Sequence, residues 1–123
     1  MHLLMMIWTP TEAWRELSPK QQREYLESLT PRLNAARSKG MVILGWSKVD
    51  EKLPKAPYAG QDSYVGVFGL DNATLVEEME ARIAHSGWYD YFESTNVSVS
   101  LTGSTEPEPH KVYAQLLGLP LRI

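Results

Sequence analysis

The chain predicts an α+β fold with the element order β-α-β-β-α-β, followed by one further helix. Three observations carry that expectation. Short, nearly all-apolar runs open the chain and recur after residue 40; two long segments carry apolar residues at helical spacing; and a late segment alternates strictly between apolar and hydroxyl side chains. Such an order folds as a four-stranded antiparallel sheet with both helices on one face, the ferredoxin-like arrangement.

Residues 2–8, closed by Thr9-Pro10, read as a strand that is apolar on both faces. Thr11 to Leu17 allows a first turn or two of helix. Ser18-Pro19-Lys20-Gln21 is a restart, with Ser18 as cap, Pro19 at the first helical position and Gln21 closing a capping box. Tyr25, Leu26, Leu29, Leu33 and Ala36 then form one stripe. Pro31 inside it predicts a kink or a break, and Lys39-Gly40 a stop. Met41 to Val49 is a second apolar strand. Residues 51–62, with two prolines and a glycine, form a loop that is either a lid or a plain connection. Ser63 to Leu70 is a third strand, with Tyr64 and Phe68 on one face and Val65 and Val67 on the other. Gly66 and Gly69 within it admit a ligand or mark a bulge.

Asp71 or Asn72 caps a second helix whose buried stripe is Leu75, Val76, Met79 and Ile83, with Gly87 ending or interrupting it. Asn96 to Thr102 is an amphipathic strand in which Val97, Val99 and Leu101 alternate with Ser98, Ser100 and Thr102. That hydroxyl stripe faces solvent at an edge or lines the interior of a barrel. After a Gly/Pro/Glu loop, Pro109 to Leu117 predicts a short helix with Val112, Tyr113, Leu116 and Leu117 inward. The whole is one domain, 1–123, with a core of 2–102 and a C-terminal extension of 103–123.

Composition narrows the function classes. The 123 residues contain no cysteine, so disulfides, thiolate metal sites and a cysteine nucleophile are excluded, and a reducing cytoplasm fits. A net charge of −3 with scattered Lys and Arg argues against nucleic acid. No apolar run reaches the roughly 20 residues a membrane helix needs, and the N-terminal run lacks the flanks of a signal peptide. His2, His85 and His110 show no metal-ligand spacing. No phosphate loop or nucleotide fingerprint is present. The helices cover one face of a sheet whose strands are apolar on both, which predicts a homodimer through the open face.

The densest feature is Ser86-Gly87-Trp88-Tyr89-Asp90-Tyr91-Phe92-Glu93, where the second helix meets the last strand. Helical spacing puts Trp88, Tyr91 and Phe92 on one face and Tyr89 and Glu93 on another. Trp88 and Phe92 read as packing anchors. His85, Tyr89 and Asp90 are the candidate catalytic residues: an imidazole able to act as a general base, and a phenol beside a carboxylate that can polarise a carbonyl and take a proton. Their plain alternative is a solvated helix end. Trp8, Trp46, Tyr64, Phe68 and Tyr91 are the candidate walls of a site for a flat apolar molecule, or ordinary sheet packing.

Met5-Met6-Ile7-Trp8-Thr9-Pro10 with Ala13-Trp14, the Leu17-Ser18-Pro19 restart and the Trp88–Glu93 run resemble the dimeric α+β barrel superfamily, and within it small bacterial darcynin-like proteins of uncharacterised function. The resemblance spans residues 2–102. It implies a pocket between sheet and helices for a small, often aromatic molecule, worked on without metal or organic cofactor by monooxygenase, isomerase or cyclase chemistry. The alternatives are a non-catalytic metabolite-binding or structural dimer, and haem binding through His85.

Overall fold

A computed structural model describes residues 2–49, 62–101 and 107–118. Strand β1 (His2–Pro10) leads through a short helix α1 (Glu12–Glu16) into the long α2 (Pro19–Ser38). Strands β2 (Val42–Lys48) and β3 (Tyr64–Leu70) precede α3 (Ala73–His85), the single turn α4 (Trp88–Tyr91), β4 (Phe92–Ser100) and α5 (Pro109–Leu116). The sheet order is β2-β3-β1-β4, antiparallel throughout and open at both edges. This is the ferredoxin-like α+β fold.

Local chemistry sets the helix ends. Ser18 Oγ accepts from Gln21 N at 3.1 Å while Ser18 N donates to Gln21 Oε1 at 2.9 Å, the predicted capping box. Asn72, rather than Asp71, caps α3, accepting from Leu75 N at 3.0 Å. Helix α2 runs unbroken through Pro31. Its inner stripe of Leu29, Leu33 and Ala36 lies along the sheet on both sides of the proline, and this shared burial outweighs one lost hydrogen bond.

Register assigns each face. Leu4, Met6 and Trp8 of β1 share the helix side with Phe68 and Leu70 of β3, and with Leu75, Val76 and Met79 of α3 they make the core. Leu3, Met5 and Ile7 point to the other side, beside Val65 and Val67 of β3 and Val97 and Val99 of β4. No described element covers that face, and Val42, Val97 and Leu101 stand exposed.

Two expectations are corrected and one alternative is decided. Strand β4 begins at Phe92, four residues before Asn96, because Phe92 to Thr95 pair with Pro10 to Ile7 although they show no apolar alternation. Of the two readings of the hydroxyl stripe the solvent-facing one holds: Ser98 and Ser100 are exposed on the helix side of the edge strand β4, and the valines occupy the open face. Leu116 and Leu117 are exposed, not inward. Thr102, the side chain of Tyr113 and the lid question at residues 51–61 lie outside the described residues.

Candidate functional site

Between the helix layer and the sheet lies a cavity of about 620 Å³. Its floor is β-strand surface: Met6 and Trp8 of β1, Trp46 of β2, Tyr64 and Phe68 of β3. The α2 stripe Gln22, Leu26, Leu29, Leu33 and Ala36 forms one wall, and Met79, Arg82, Ile83 and Ser86 of α3 the other. Trp14, Trp88 and Phe92 close the end near α4.

The floor depends on one glycine. Gly66 faces Trp46 across the β2–β3 ladder. A Cβ there would lie 3.0 Å from Trp46 Cε3 and Cζ3 and 3.2 Å from Phe68 Cζ. Without it the indole lies over β3, edge-on to Phe68 with centroids 5.2 Å apart. Trp8 stands at the centre of the wall, 6.3 Å from Trp46, 6.4 Å from Tyr64 and 5.3 Å from Trp88.

The polar groups around the cavity are unevenly matched. Asp62 is held at its rim by Tyr64 Oη at 2.8 Å and Lys48 Nζ at 3.7 Å. That hydrogen bond raises the pKa of the Tyr64 phenol, because the phenol proton is what the carboxylate accepts. Arg15, Arg32 and Arg82 line the same cavity, and none has a carboxylate partner among the described residues.

Trp8, Trp46, Tyr64 and Phe68, the candidate walls, are thus brought together on one floor. Tyr91, the fifth, packs outside the cavity lining against Trp14 and Tyr25, with centroids 5.8 and 4.7 Å away. The candidate catalytic residues His85, Tyr89 and Asp90 do not line the cavity either. His85 is exposed, its Nδ1 2.7 Å from Ala81 O. The Tyr89 hydroxyl accepts from Asn96 Nδ2 at 2.8 Å, and Asp90 is an exposed side chain on α4. The phase of that one turn is as its spacing predicts: Trp88 and Phe92 turn inward, Tyr89, Asp90 and Glu93 outward. No group of His, Asp and Glu among the described residues could hold a metal, and none of the described helices is long and apolar enough to cross a membrane.

Sequence reasoning passed over Trp14 and the three arginines. The signal for Trp14 was its place one turn before the α2 cap. The arginines carry no such signal, since exposed basic residues on a helix usually face water.

Fold and cavity together define a ferredoxin-like α+β protein with an aromatic-walled space between its layers. The sequence of residues 1–116 matches a family of unknown function, DUF6616, and the chain belongs to that family. No curated protein matches it. Among solved structures, a protein of Arabidopsis thaliana is similar over 86% of this chain and 100% of its own, at 12% identity and a TM-score of 0.57. An uncharacterised NIPSNAP domain protein of Burkholderia xenovorans covers 88% and 100% at 12% identity and a TM-score of 0.46. A protein from an uncultured marine organism, described as dimeric and ferredoxin-like, covers 86% and 99% at 16% identity and a TM-score of 0.46. At these identities the likeness extends to the fold alone, and the Arabidopsis structure carries it.

Proposed function

We propose that this protein binds a flat, apolar small molecule between its helices and its sheet, and does so as a homodimer whose second copy covers the open sheet face. The observation that supports binding is the cavity itself. Its volume of about 620 Å³ falls in the range of ligand sites, and it is walled by indole and phenyl rings with few polar groups, the usual composition of such sites. The dimer rests on the uncovered apolar face of β1, β3 and β4. Kinship with darcynin-like proteins over residues 2–102, and a cytoplasmic setting in keeping with the cysteine-free sequence, belong to the same proposal.

Binding is favoured over acid–base catalysis by His85, Tyr89 and Asp90, because all three lie off the cavity wall. The same placement speaks against haem: the His85 ring is not on the cavity, and its Nδ1 is within hydrogen-bond distance of Ala81 O.

The neutral fluorophore N-phenyl-1-naphthylamine tests the cavity. Saturable one-to-one binding is expected, weakened about tenfold in Leu29→Trp, which fills the wall, at an unchanged melting temperature. Equal binding by the variant would show that the probe sits elsewhere. Light scattering after size exclusion tests the dimer separately, and a monomeric mass would remove the second copy while leaving the cavity reading intact.

A further inference from the structure

We infer that the preferred occupant of the cavity is an aromatic carboxylate, its ring among the indoles and its carboxylate at Arg32 and Arg82; this deepens, and rests on, the binding reading above. Helices α2 and α3 run antiparallel and are fastened at two points. Tyr25 Oη donates to Ser86 O at 3.1 Å near one end, and Lys39 Nζ meets Glu78 Oε2 at 3.3 Å near the other. Arg32 and Arg82 fall between these two ties, on opposite helices, and both line the cavity.

Neither guanidinium is accounted for by its own helix. Arg32 stands in mid-helix with Ser28, Leu29, Ala35 and Ala36 at its one-turn neighbours, so it has no acidic partner on α2. Arg82 has Glu78 one turn earlier, but that carboxylate is engaged by Lys39. Asp62 at the opposite rim is held by Lys48 and Tyr64. Two like charges, Arg32 exposed and Arg82 half-buried, therefore line one largely apolar cavity, and an entering carboxylate pairs with both. The planar fork of a guanidinium matches the two oxygens of a carboxylate, and such charge-assisted bonds are about twice as strong as neutral ones.

The test compares 2-naphthoate with its neutral amide, 2-naphthamide, by calorimetric titration at pH 7 in the whole chain. Naphthoate is expected to bind at least about tenfold more tightly, and less so at high salt. In Arg32→Gln and in Arg82→Gln the naphthoate affinity should fall most of the way to the naphthamide affinity measured in the same variant, at an unchanged melting temperature; the Lys variants should restore part of the preference. Equal affinity for acid and amide overturns the carboxylate assignment and leaves the binding reading standing. A preference that survives both Gln variants overturns the assignment to these arginines. Failure of naphthoate and naphthamide alongside binding of N-phenyl-1-naphthylamine removes the inference alone; failure of all three removes the binding reading with it.

Discussion

Two groups of rings meet at Phe92, and they are built to different ends. On one side Trp14, Tyr25 and Tyr91 close on each other, with centroids 4.7 to 6.1 Å apart. Two hydrogen bonds fasten this group to its surroundings: Tyr25 Oη donates to Ser86 O, and Thr11 Oγ1 donates to the backbone O of Tyr91 at 2.9 Å, joining the start of α1 to α4. On the other side Trp8, Trp46 and Tyr64 line up along the sheet and leave about 620 Å³ above them. Ring density alone therefore does not distinguish a knot from a wall. What distinguishes them is whether the rings close on each other or leave open space beside them. At the seam Trp88 is edge-on to Trp8 and 4.1 Å from Phe92, and its buried Nε1 has no acceptor among the described residues.

The largest expected effect comes from cutting the seam. Phe92 is 4% exposed and touches both groups through Trp14 and Trp88. Phe92→Ala should cost about 3–5 kcal/mol in urea denaturation, the usual range for a buried phenylalanine. A loss below about 1 kcal/mol would mean that the two groups stand independently and that the contrast drawn at this residue is false.

Gly66→Ala tests the wall alone. The added methyl meets Trp46, which is 54% exposed and free to move outward, and, at 3.2 Å, the buried ring of Phe68. Stability should fall by about 1–2 kcal/mol, near the low end of overpacking, while the affinity for N-phenyl-1-naphthylamine changes several-fold because the floor has shifted. An affinity that stays constant would place the probe away from Trp46.

How much of this was legible in the sequence follows from the same contrast. The helix ends were readable because Ser18, Gln21 and Asn72 act on backbone atoms three residues away. The two faces of β3 were readable because alternation has a fixed period of two. The start of β4 was not: Glu93, Ser94 and Thr95 owe their strand conformation to pairing with Thr9, Trp8 and Ile7, some 85 residues earlier in the chain. The cavity was not legible either. It depends on Gly66 standing opposite Trp46, and that register runs through the bulge between Ile43 and Gly45. Trp8, Trp46, Tyr64 and Phe68 stood out as aromatic strand residues, but nothing in their spacing shows whether the space above them is filled. His85, Tyr89 and Asp90 drew attention because they flank the rings in sequence; His85 is exposed at the end of α3, and after the left-handed Gly87, at φ 83°, the one turn of α4 leaves Tyr89 and Asp90 outward.

The smallest effect probes the knot. Tyr25→Phe removes the hydroxyl bonded to Ser86 O and should cost roughly 0.5–1.5 kcal/mol at neutral pH. Its pH dependence is the sharper test. Burial pushes the Tyr25 phenol above its ordinary pKa of 10.0, ahead of the opposing effect of the Ser86 side chain. In the unfolded chain the phenol ionises first, so its contribution to stability is fully present below pH 10 and is lost as the pH rises through the folded-state value. The wild-type advantage over Tyr25→Phe should therefore shrink between neutral pH and alkaline pH. Tyr64, raised in the same direction by Asp62, is common to both proteins and cancels in the difference. A gap that holds constant above pH 10 would mean that Tyr25 is as well solvated folded as unfolded. The knot would then be as open as the wall.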